Sequence, residues 1–136
     1  YDEIDPAPLM RALSDAGHGL CLPRTPRKGH PLTFHSYTID ERLERGPHGT
    51  KQPKKTTKLV QPDIILVPLL AYSRSGFRLG YGGGFYDRTL AALRAEHEIF
   101  ACGLAYSGQE VPTLPTDEYD QRLDGVLTET GFRRFT

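Results

Sequence analysis

Apolar positions along the chain fall into short runs, separated by polar stretches that carry Gly and Pro. Leu9, Met10 and Leu13 have the spacing of one helical face. Asp5 followed by Pro6 supplies a helix start, and Gly17 supplies an end. Residues 19–23 read as a short buried strand. In the next apolar stretch Leu32, Phe34 and Ser36 alternate with Thr33, His35 and Tyr37, which predicts a strand with one polar face. Residues 38–58 are polar, with Gly46, Pro47, Gly49 and Pro53; a short helix over 39–45 is expected, followed by a loop bearing Lys51, Lys54, Lys55 and Lys58. Residues 63–68 form a continuous apolar run, the pattern of a strand covered on both faces. A long glycine-rich loop over 69–84 then leads into a predicted helix over 85–96, with Phe85, Leu90 and either Ala92 or Leu93 inward. Residues 99–106 read as a strand, 111–119 as a Pro-punctuated loop, and 125–128 as a final short strand. No internal repeat is visible. This order of elements predicts an α/β protein with a mainly parallel sheet.

The length of 136 residues suits one domain. Lys plus Arg and Asp plus Glu both number 17, so the net charge is zero and there is no bulk attraction to nucleic acid or an anionic membrane. A local basic patch remains compatible with that balance. Cys21 and Cys102 each sit in an apolar run and lack metal-ligand spacing, so two buried, reduced thiols are expected. No apolar run approaches the roughly 20 residues of a membrane span, and no signal peptide is visible. A cytoplasmic protein is the expectation. His18, His30, His35, His48 and His97 show no ligand pairing and are assigned no chemistry.

The densest candidate chemistry lies in Arg78-Leu79-Gly80-Tyr81-Gly82-Gly83-Gly84-Phe85-Tyr86-Asp87-Arg88. Glycines reach positive φ without steric cost, so several backbone N–H groups can converge on one point. A helix beginning directly after them adds unpaired N–H groups and a partial positive charge, an arrangement that suits a phosphate chain. Arg78 and Arg88 flank it with forked cationic donors. Asp87, in the first helical turn, is either a partner of the helix dipole or a ligand for Mg²⁺, which prefers few protein carboxylates together with substrate phosphates. The spacing matches neither the dinucleotide fingerprint nor the Lys-containing phosphate loop.

This segment, preceded by residues 63–68 and by Ser75-Gly76, closely resembles the signature of the 5-formyltetrahydrofolate cyclo-ligase family, also called 5,10-methenyltetrahydrofolate synthetases. Glu3-Ile4-Asp5 before a helix resembles the family's acidic motif. Leu22-Pro23-Arg24, the stretch from Gly46 through Gly49 to Pro53, and Asp117-Glu118-Tyr119-Asp120 followed by Leu123-Asp124 resemble further family motifs in the same order. The resemblance spans essentially the whole chain.

The resemblance implies a three-layer α/β/α sandwich with a mainly parallel sheet, like that of the NagB, RpiA and CoA-transferase folds. It implies ATP-driven ring closure of 5-formyltetrahydrofolate to 5,10-methenyltetrahydrofolate, with release of ADP and phosphate. Arg78, Leu79, Gly80, Tyr81, Gly82, Gly83, Gly84, Phe85 and Tyr86 would bind ATP. Tyr81, Gly82, Gly83, Gly84 and Phe85 would also face the folate, whose pterin would meet Asp5. Asp87 and Asp120 would bind Mg²⁺. The partners would be small molecules alone, acting on a monomer. Although Asp124 falls in the family's acidic motif, it is read as the start of the last strand, and Arg24 is read equally as a surface residue or a phosphate contact. Gln52 stands where many members carry Glu. The family also begins with a helix whose Lys and Arg reach the ATP phosphates, and this sequence starts just before the acidic motif. An N-terminally incomplete single domain is therefore expected; the alternative is a non-catalytic relative that binds nucleotide or folate.

Overall fold

The computed structural model describes residues 4–136. Among the described residues, two α-helices accompany eleven short strands. In chain order these are α1 (Ala7–Asp15), β1 (Leu20–Arg24), β2 (Thr33–Tyr37), β3 (Glu44–Arg45), β4 (Lys51–Gln52), β5 (Ile64–Val67), β6 (Ala71–Ser73), β7 (Arg78–Leu79), α2 (Phe85–Glu96), β8 (Phe100–Leu104), β9 (Glu110–Val111), β10 (Gly125–Thr128) and β11 (Gly131–Arg134). The fold is thus mixed α/β, as the sequence indicates, but its sheets are small and mixed in direction.

α1 begins where the sequence places it. The Asp5 carboxylate accepts the Ala7 N–H at 3.0 Å, and the helix closes as His18 N–H donates to Leu13 C=O. β1 and β2 pair as an antiparallel hairpin from Leu20 opposite Tyr37 to Arg24 opposite Thr33. The expected polar face of β2 is not fully polar in its surroundings: His35 is buried. Residues 57–60 fold back along β2, with Ser36 N–H donating to Lys58 C=O and Val60 N–H to Phe34 C=O. His35 Nδ1 lies 2.8 Å from Thr57 C=O and Nε2 lies 3.1 Å from Thr33 Oγ1, so both ring nitrogens are satisfied. The short helix expected over 39–45 does not form. Asp40 has φ +68°, Glu41 N–H closes a turn on Thr38 C=O, and the chain enters β3, which pairs with β4.

The four-stranded sheet has the order β11-β10-β8-β5. β5, β8 and β10 run parallel, with Ile65 opposite Ala101 and Cys102 opposite Gly125. β11 adds an antiparallel edge that the sequence reading omits. One sheet face carries Ile65, Val67, Ala101 and Val126 into the core, together with Leu32, Phe34, Leu69, Tyr72, Leu90, Ala105 and Leu123. The apolar run at 63–68 was expected to be covered on both sides, and it is not. Ile64 is 65% exposed against 3% for Ile65, because β5 is an edge strand in this sheet and only one of its faces meets the core. Cys102 is buried and Cys21 half-buried; burial pushes both thiols up, that of Cys102 to about 11.

The segment read as a long loop over 69–84 contains a hairpin, β6 with β7, and β6 also pairs in parallel with β9. α2 has the predicted bounds and buries Leu90 and Thr89, with Leu93 rather than Ala92 packed against the core. Thr89 Oγ donates to Phe85 C=O at 2.6 Å and accepts the Leu32 N–H at 2.8 Å, which ties the helix to the start of β2. No helix among the described residues is long and apolar enough to cross a membrane.

Candidate functional site

The glycine segment joins β7 to α2 and is held at both ends by arginines. Arg78 Nε donates to Pro68 C=O at 3.2 Å, so the segment is anchored at the carboxyl end of β5, the end of a parallel strand where α/β proteins place ligands. Its guanidinium lies 5.4 Å from the centre of the Tyr86 ring. Burial lowers the Arg78 pKa, while Asp87, Tyr86, Tyr81 and Asp120 act the other way. Arg78 therefore sits in the field of both candidate metal-binding carboxylates.

Gly82 has φ +96° and Gly84, which precedes the first helical turn, has φ +69°. Both lie in backbone space that L side chains avoid. Arg88 reaches back from α2, donates from Nη2 to Gly83 C=O at 2.8 Å and lies 5.1 Å from the centre of the Phe85 ring. Its Nε is buried without a hydrogen-bond partner among the described residues. Leu79 and Tyr81 are exposed beside the segment, and Phe85 and Tyr86 pack partly against the core. The N-cap position of α2, Gly84, supplies no side-chain cap.

The structure brings the two predicted metal residues into one neighbourhood. Asp87, in the first turn of α2, accepts the Gln121 N–H on Oδ1 at 3.0 Å. Asp120, the residue before Gln121, accepts the Asp117 N–H on Oδ2 at 2.9 Å. One oxygen of each carboxylate is thus held, and the other has no protein hydrogen bond among the described residues. No group of three or more His, Cys, Asp or Glu able to hold a metal occurs among those residues. The donor set is a pair of oriented carboxylates, which fits Mg²⁺ bound largely through substrate phosphates and water.

Other predicted residues fall elsewhere. Asp5 caps α1 and has no hydrogen bond or ion pair to the glycine segment among the described residues. Glu3, part of the same motif, lies outside the described residues. Arg24 is half-buried, and its Nη1 meets Glu44 at 2.6 Å and Pro53 C=O at 2.7 Å. Gln52 is buried and accepts the Thr25 N–H at 3.1 Å, tying β4 to the end of β1. Asp124 does lead into β10, as expected, and also accepts from Arg94 and from Ala101 N–H. Gln121 and Arg94 escaped sequence reading because their bonds join segments 27 to 34 residues apart. A separate concavity lined by Asp63, Arg94, His97, Phe100, Asp124 and Arg134 lies at the amino ends of the parallel strands. It is open and does not include the residues of the glycine segment.

A sequence model of the 5-formyltetrahydrofolate cyclo-ligase family matches residues 1–129. The chain is 37% identical to the 5-formyltetrahydrofolate cyclo-ligase of Haemophilus influenzae over 130 residues, covering 92% of this chain and 69% of the relative. It is 38% identical to the mouse enzyme of that name over 145 residues, covering 94% and 68%. The solution structure of 5,10-methenyltetrahydrofolate synthetase from Aquifex aeolicus superposes with a TM-score of 0.74 at 32% identity, covering 97% of this chain and 66% of that one. The chain therefore spans about two thirds of the length of the relatives it matches. With a family model matching residues 1–129 and a relative 37% identical that is covered over 69% of its length, this chain belongs to the 5-formyltetrahydrofolate cyclo-ligase family.

Proposed function

We propose that the protein is an ATP- and Mg²⁺-dependent ligase that closes 5-formyltetrahydrofolate to 5,10-methenyltetrahydrofolate, releasing ADP and phosphate. The observation that carries this reading is the Gln121 N–H to Asp87 bond, which places the acidic loop beside the glycine segment. Without that bond the segment is only a generic anion cradle; the bond supports a reading in which cationic, backbone and carboxylate groups serve one nucleotide.

The chemistry asks for little covalent help from the protein. The formyl oxygen is a poor leaving group until it carries phosphate. Transfer of the γ-phosphoryl group to that oxygen breaks the bond to ADP. N10 then attacks the formyl carbon, the carbon–oxygen bond breaks to release phosphate, and N10 loses its proton as the amidinium forms. Phosphoryl transfer depends chiefly on positioning and charge neutralisation. Backbone donors of residues 80–84 and the Arg78 guanidinium would hold the phosphate chain, and Tyr81 and Phe85 would lie toward the folate. Asp87 and Asp120 would hold Mg²⁺, which supplies charge neutralisation at the phosphate oxygens. Asp5 is assigned to the pterin by the same reading, since a carboxylate accepts paired N–H donors.

The proposal extends to a three-layer α/β/α architecture, supported by three parallel strands with α2 between β5 and β8 in sequence. It also extends to a cytoplasmic monomer that acts on small molecules; the zero net charge supports only the part of this reading that excludes nucleic acid and anionic membranes. The test is to incubate the full-length polypeptide with 5-formyltetrahydrofolate, ATP and Mg²⁺ and follow the near-UV absorbance of the methenyl product. Product and ADP are expected in equal amounts, and the absence of both would refute the reading.

A further inference from the structure

Asp87 and Arg94 lie seven residues apart on α2, hence on the same face and roughly 10 Å apart along the axis. The loop after Asp120 runs down that face. At the upper end Gln121 N–H donates to Asp87 Oδ1. At the lower end Arg94 donates from Nη1 to Gln121 Oε1 at 3.2 Å and from Nη2 to Asp124 Oδ2 at 3.0 Å. Asp124 is fixed in turn by the Ala101 N–H at 2.8 Å, at the amino end of β8. Gln121 is thus gripped twice, by its backbone at one end of the helix and by its side chain toward the other. Arg94 is three-quarters buried, and its planar fork meets both acceptors at once.

We infer that Arg94 is a positioning residue for the Asp87–Asp120 carboxylate pair, acting through Gln121. This rests on the nucleotide reading proposed above and adds a residue to it. An Arg94–Asp124 ion pair alone would only brace α2 against the start of β10. The second bond, to Gln121, changes its consequence: Gln121 follows Asp120 directly and holds Asp87 by its own N–H. Releasing the Gln121 side chain frees the loop to swing, and the two carboxylates then lose their common orientation. Backbone donors of the glycine segment do not depend on this contact, so phosphate binding without metal is left intact.

The experiment compares wild type, Arg94→Met and Gln121→Ala in the full-length polypeptide. Calorimetry with ADP is run with Mg²⁺ and in chelator, and amide hydrogen exchange is followed over residues 117–124. Arg94→Met is expected to weaken Mg²⁺–ADP binding about tenfold, the usual scale for losing a group that orients a metal ligand, and to leave metal-free ADP affinity within about twofold. Exchange over 117–124 rises in the same variant. Gln121→Ala keeps the Arg94–Asp124 pair and both backbone bonds, so it serves if Arg94→Met does not fold; it is expected to show the same split at smaller size. Unchanged Mg²⁺–ADP affinity in a folded variant, or an equal loss with and without Mg²⁺, overturns the inference. A wild-type chain that binds ADP no better with Mg²⁺ than without it removes the metal reading itself, and the inference with it.

Discussion

At the scale of single residues, the site depends on backbone conformation as much as on side chains. Gly84 has φ +69°, and a Cβ there would stand 2.7 Å from Arg88 Nη1, the arm of the guanidinium next to its bond with Gly83. Gly84→Ala therefore meets both left-handed strain, of roughly 1–2 kcal/mol, and a displaced arginine. Gly108, in the turn Ser107–Gln109, has open space and no positive φ, so Gly108→Ala is the matched control. Gly84→Ala is expected to melt lower and to bind ADP at least about tenfold more weakly, a loss of about 1.4 kcal/mol. Gly108→Ala is expected to match wild type in both measurements. Wild-type ADP affinity in Gly84→Ala would show that the conformation of this segment does not hold the phosphates.

At the scale of elements, β5 shows how a pattern can be right about the strand and wrong about its surroundings. Ile64 and Ile65 are chemically identical neighbours, yet pleating sends one to solvent and the other to the core. Ile65→Ala should cost about 2–5 kcal/mol in denaturant unfolding, and Ile64→Ala within about 0.5 kcal/mol. Similar losses at both positions would mean that the outer face of β5 is covered in solution. The contrast also marks what the sequence could disclose. α2 was legible to its ends because Gly84 precedes it and Leu90 and Leu93 set its face. α1 was legible from Asp5, Pro6 and Gly17. The one-sided burial of β5 was not, because an apolar run does not state where its strand lies in the sheet order. Nor were β6 and β7, since two- and three-residue strands carry too few positions for a period to show. Within the site, Arg78 to Asp87 could be found from local composition. The juxtaposition of Asp87 with Asp120 followed only from a family resemblance, and the grip of Arg94 on Gln121 had no local sign at all.

At the scale of the whole molecule, the proposed ligand would join parts of the chain that local contacts connect only thinly. The glycine segment belongs to the β7–α2 connection, whereas Asp120 belongs to the crossover between β8 and β10. A nucleotide with Mg²⁺ held between them binds the folded state alone, so it stabilises folding by RT ln(1 + [L]/Kd), about 2.7 kcal/mol at a hundredfold excess over Kd. Thermal unfolding should therefore shift upward by several degrees with Mg²⁺–ATP at that excess. Because the chain carries 17 basic and 17 acidic residues, its overall field is close to neutral, and a generic polyanion has little to attract it at a distance. Heparin, offered at the same charge concentration, should leave the melting temperature within about one degree. ATP in chelator should produce a smaller shift than Mg²⁺–ATP, since Asp87 and Asp120 then face the phosphates as bare negative charges and oppose them. An equal shift with heparin, or one that survives chelation undiminished, would mean that the basic groups act as an unspecific anion surface and that the carboxylate pair takes no part in binding.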